Sequence, residues 1–152
     1  MVYRLSLLLL SATWLVHAWA QPGIKAEFAG GTLGGLSARS AARLDLTGAE
    51  EMVFRSGETE LRIPYRKVNT LEYGQNVSRR WAAAVLISPL LLLSKTRKHF
   101  VTLGYLDSEG KQQVLVIRFG KSDIRPVLAS LEARTGRRIE YQDDEARKAV
   151  KG

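Results

Sequence analysis

His99 is the one imidazole beyond the first twenty residues, and the chain has no cysteine. The usual zinc sets draw several ligands from those two residue types, so they cannot be assembled here. Harder ions would need carboxylates. Asp143, Asp144 and Glu145 are adjacent, however, and lack the alternating spacing of a calcium loop. Neither a metal nor a cofactor is expected. A hydrolytic triad would have to use His99, yet no Gly-x-Ser-x-Gly elbow accompanies it. Glu58 and Glu60, two apart on a strand, share a face and could in principle act as acid and base; Arg62 beside them favours solvated ion pairs instead. Gly30-Gly31 and Gly34-Gly35 match neither the dinucleotide spacing nor the Walker pattern, since Leu36 stands where the latter wants lysine. They read as flexible turns. Asn76-Val77-Ser78 is a glycosylation sequon of the kind that arises by chance. No catalytic residue is assigned, and a binding or structural module is expected rather than an enzyme.

The least ordinary feature is the run from Trp81 to Leu93, apolar all round except for Ser88 and interrupted by Pro89. Arg79 and Arg80 precede it, and Lys95, Arg97 and Lys98 follow. As a helix it would extend ~20 Å, short of a ~30 Å bilayer core. Three readings fit: a buried helix covering one end of a sheet, a helical hairpin dipping into one leaflet, or a surface that docks on another protein. On the latter two, Trp81, Val85, Leu86, Ile87, Leu90, Leu91, Leu92 and Leu93 would contact membrane or partner. The five flanking cations would face an anionic surface.

These residues must be held by elements legible from periodicity and turn chemistry. Arg4, the apolar run Leu5 to Val16, and Ala18-Trp19-Ala20 make residues 1–20 a secretory signal peptide cleaved before Gln21. Removing it takes Arg4 from the 23 Lys and Arg, leaving 22 against 15 Asp and Glu, a balance of +7. For an exported chain that charge suits an anionic membrane surface or an envelope protein; nucleic acid is not expected. Residues 21–40 read as a Gly-rich leader with at most one short strand, near Ile24 to Phe28. From Ala41 the apolar period is close to two: Leu44 and Leu46, Met52 and Phe54, Leu61 and Ile63, then Val68, Leu71 and Tyr73. Thr47-Gly48 and Ser56-Gly57 supply reversals for an antiparallel meander, and Pro64 should end the third strand or lie on its edge.

After the insert at 79–98, strands are expected over His99 to Leu106 and Gln112 to Phe119, joined by a hairpin turn at Asp107-Ser108-Glu109-Gly110. Ile124, Val127, Leu128 and Leu131 follow the stripe of one helix face over Ser122 to Thr135, with Ser122 or Asp123 as cap and Gly136 as stop. Arg138 to Tyr141 suits a short strand, and residues 143–152 a mobile charged tail.

The order of these elements resembles a pleckstrin-homology-like domain of the small bacterial exported type, over roughly Ala41 to Tyr141. Ile63-Pro64-Tyr65-Arg66-Lys67-Val68, Leu71-Glu72-Tyr73-Gly74, and Lys98-His99-Phe100-Val101 with Tyr105 look like its strand phrases. The resemblance implies an α+β, mostly β fold: two packed antiparallel sheets or a partly open barrel, closed at one end by the C-terminal amphipathic helix, here with an apolar helical insert. It brings no catalytic residues. Export, the basic balance and the insert, rather than the resemblance, lead to the expected function: a noncatalytic cell-envelope module, periplasmic or secreted, docked on a membrane face or partner by the insert. A soluble periplasmic enzyme or small-ligand binder using the sheet is the alternative from another class.

Overall fold

The computed structural model describes residues 22–77 and 98–151. Residues 1–20, read above as a signal peptide, and Trp81, Val85, Leu86, Ile87, Leu90 to Leu93, Arg79, Arg80, Lys95 and Arg97 lie outside the described residues. Within them the protein is α+β and mostly β. Eight strands form one mixed sheet in the order β4-β3-β2-β1-β7-β6-β5-β8. In chain order these are β1 (Ile24–Gly31), β2 (Ala41–Asp45), β3 (Glu51–Ser56), β4 (Thr59–Pro64), β5 (Val68–Gly74), β6 (His99–Leu106), β7 (Gln112–Phe119) and β8 (Glu140–Tyr141).

The alternating apolar residues of the first part form the expected meander. Leu44 lies opposite Phe54 and Met52 opposite Ile63, all facing one core. Pro64 ends β4, which is the outer strand, where the N–H it lacks is not needed by a neighbour. The β6–β7 hairpin also has the expected register, pairing Val101 with Ile117 and Leu103 with Leu115. Its turn is built by Asp107, whose carboxylate accepts the backbone N–H of Glu109 and of Lys111, both at 2.9 Å. Gly110, at φ 78°, supplies the left-handed residue that the reversal needs.

Only the single 3-10 turn Tyr65–Lys67 joins β4 to β5, although these strands lie far apart in sheet order. So short a link requires the sheet to coil until the end of β4 meets the start of β5. No ladder pairs the two strands, and the sheet stays unclosed at this seam. Helix α1 (Ile124–Thr135) buries Ile124, Val127, Leu128 and Leu131 on the core, each worth ~1.5–3 kcal/mol of apolar transfer. Gly136, at φ 66°, ends it and donates its N–H to the Glu132 carbonyl. Asp123 stands at the N-cap position without a side-chain capping bond. In its last turn Arg134 donates to the Gly48 carbonyl and lies 5.5 Å from the Tyr65 ring centroid, and just past it Arg137 donates to the Val68 carbonyl. The C-terminal end of α1 is thereby tied to both sides of the seam.

Three regions differ from the expectations. The residues read as a leader contain β1, an eight-residue strand paired with both β2 and β7. Its glycines serve the sheet: a Cβ on Gly31 would stand 2.6 Å from the Val114 carbonyl oxygen. The residues read as a mobile tail form a second helix, α2 (Asp144–Lys151). Asp143 starts it by accepting the Ala146 N–H at 2.6 Å, and Ala146 is wholly buried against the core. Finally, β6 and β7 are buried on both faces. Phe100, Val114 and Val116 point away from the main core and cluster with Ala29 and Val77. The run Val114-Leu115-Val116-Ile117 carries that signal in its lack of alternation.

Candidate functional surface

The expected contact region begins where β5 ends and β6 starts. These strands are antiparallel neighbours, so the two roots of segment 78–97 stand side by side: Lys98 donates its N–H to the Gln75 carbonyl at 3.4 Å. Lys98 is the one candidate contact residue within the described residues, and it is half-buried. Val77, at the other root, is buried in the cluster on the outer sheet face.

Beside the roots, β5 and β6 bring Tyr73 and His99 together. Their rings are nearly parallel with centroids 6.0 Å apart, and Tyr73 Oη lies 2.6 Å from His99 Nδ1. Burial, with the negative charges near Tyr141 and Asp143, pushes the Tyr73 phenol up to about 12. The hydroxyl is thus a donor at neutral pH, and in neutral His99 the Nδ1 accepts from it. Burial, and secondarily the Lys121 ammonium, hold His99 below the ordinary imidazole range. Tyr141 meets Tyr73 edge-on at 6.2 Å, and Arg147 lies 5.7 Å from the Tyr141 ring centroid. Gln142 closes this end by donating to Glu72 at 3.0 Å.

An open cavity of about 700 Å³ adjoins His99, bounded by Lys121, Ser122, Ile124, Arg125 and Ala149. Lys121 and Arg125 are exposed. Lys98, Lys121 and Arg125 are therefore presented at the same end of the sheet as the roots, and among the described residues no carboxylate borders that cavity. Periodicity alone could not place Lys121 and Arg125 here, because the turn from β7 into α1 sets their direction.

The other residues weighed for chemistry resolve as structural. Glu60 is exposed and receives Arg55 at 2.8 Å and Arg62 at 2.7 Å; these hydrogen bonds hold its carboxyl below the usual range. Arg62 also pairs with Glu51 at 2.8 Å. Asp45 accepts both the hydroxyl and the backbone N–H of Thr47, which lower its pKa against the opposing effect of burial. Among the described residues no three His, Cys, Asp or Glu side chains converge as a metal site. Among the same residues no helix is long and apolar enough to cross a membrane. The chain matches no protein-family model and no curated protein.

Proposed function

We propose that the chain is a noncatalytic, exported cell-envelope module of pleckstrin-homology-like type that docks on an anionic membrane face. The observation that carries this reading is the placement of the roots of segment 78–97, side by side at a sheet end that also presents Lys98, Lys121 and Arg125. The segment carrying the apolar run and its flanking cations is thus rooted at an end that also presents cations from the folded domain. Each basic side chain near an anionic surface contributes ~1 kcal/mol at physiological salt. The strand meander, the long hairpin and the helix set across the sheet support the fold resemblance.

The test is flotation of the mature chain with phosphatidylglycerol vesicles and, separately, phosphatidylcholine vesicles. Binding is expected to the anionic vesicles only and to weaken as salt is raised. Replacing Arg79, Arg80, Lys95 and Arg97 by Gln should abolish it while leaving the folded domain intact by circular dichroism. A chain that stays wholly in the soluble fraction at low salt, or floats equally with neutral vesicles, would overturn the reading.

A further inference from the structure

At the opposite end of β6, the unclosed seam holds a groove of about 450 Å³ between the free edge of β4 and the β6–β7 turn, within the ~300–1,000 Å³ of small-molecule sites. Leu33, Leu61, Pro64 and Leu106 make its apolar walls. Leu106 is 39% exposed, so this wall keeps apolar surface in water.

Two polar groups in the groove are left with donors to spare. Tyr105 lines it with a ring that is almost wholly covered, while its hydroxyl, which has no hydrogen-bond partner among the described residues, still reaches the open groove. An acceptor seated in the groove can take its hydrogen bond in place of water. Burial and the nearby Asp107 charge push this phenol up to about 12, which keeps it a donor at neutral pH. Lys67, just before the residue that lies opposite Tyr105, donates to the Asp107 carbonyl at 2.8 Å. Its ammonium has further N–H donors and forms no ion pair among the described residues. The Asp107 carboxylate does not neutralise it, being occupied by the Glu109 and Lys111 backbone and by the Gln113 side chain at 2.8 Å. Arg62, also at the groove, is matched by Glu51 and Glu60.

We propose that this groove binds a medium-chain alkyl carboxylate, the carboxylate accepting from Lys67 Nζ and Tyr105 Oη and the alkyl chain lying against Leu61, Pro64 and Leu106. An anion with a hydrogen-bond-accepting head satisfies both donors, and the apolar tail covers the exposed leucine. The site is separate from the membrane-docking end and does not depend on it.

The experiment titrates the mature chain with decanoate below its micelle concentration, followed by amide chemical shifts and calorimetry. Saturable one-to-one binding is expected, with shifts at Lys67, Tyr105, Leu106 and Gln113. Decanol should bind about tenfold more weakly, as should Lys67→Met; Tyr105→Phe should lose about threefold, in line with charged and neutral hydrogen bonds respectively. Thermal melts of both variants check that they stay folded. Absence of saturable binding, equal affinity for decanol, shifts confined to the His99 end, or undiminished affinity in both folded variants would each overturn the proposal.

Discussion

The two ends of the β6–β7 hairpin carry opposite kinds of polar chemistry on one scaffold. At the His99 end the buried polar groups are satisfied by one another: Tyr73 meets His99, and Gln142 meets Glu72. The cations Lys121 and Arg125 lie outside, on the exposed surface beside His99. At the turn end lies an apolar groove, and the Tyr105 hydroxyl that reaches it lacks a partner among the described residues. The first arrangement suits a broad charged surface, which needs no interior donors. The second suits a small ligand, because Lys67 and Tyr105 offer donors beside an apolar wall that one amphipathic molecule can meet together.

The comparison can be broken at its shared support. Helix α1 begins beside Lys121 and ends tied to Gly48 and Tyr65, so it braces both the root end and the seam. Leu131→Ala removes a wholly buried side chain on that helix and should cost ~2–5 kcal/mol. Urea unfolding would read this as one cooperative loss; separate transitions for the two ends would refute a common core.

A matched pair of substitutions sharpens the contrast. Tyr73→Phe leaves His99 Nδ1 without its donor and should lower stability by ~1 kcal/mol. Tyr105→Phe deletes a hydroxyl that has no partner among the described residues, so its melting temperature should stay level or rise. Equal losses in the two variants would contradict the assignment of satisfied and unsatisfied ends.

A smaller effect follows from His99. Its native pKa lies below the ordinary imidazole value of 6.5, so between the two values the unfolded chain takes up a proton that the native state refuses. Stability should therefore fall as pH drops through that window and level off below the native pKa. In His99→Gln this slope should vanish from denaturation curves taken across the window. Its persistence would place the titrating group elsewhere.

What the sequence disclosed depended on how local the signal was. Leu44, Phe54 and Ile63 alternate within single strands, and Asp107 to Gly110 form a turn from adjacent residues, so both features could be read directly. The second half of β1 was obscured because Gly30 and Gly31 resemble a linker; the need for Gly31 arises only from the close approach of Val114, far away in the chain. α2 was obscured because its charges outnumber its apolar residues, while Ala146 alone is fully buried. The cationic end was half legible: Lys98 stood out beside the apolar run, but Lys121 and Arg125 join it through the tertiary fold. The groove draws on β1, β4 and the β6–β7 turn, so no stretch of sequence contains it.

The central claim is that the His99 end, and not the turn end, meets an anionic membrane. Amide and imidazole spectra of the mature chain with phosphatidylglycerol nanodiscs test this most directly. The account predicts shifts at Lys98, His99, Lys121 and Arg125, a raised His99 pKa as anionic headgroups offset the Lys121 charge, and unchanged signals at Leu106 and Gln113. Shifts confined to Leu106 and Gln113, or a His99 pKa unmoved by the anionic lipid, would contradict it.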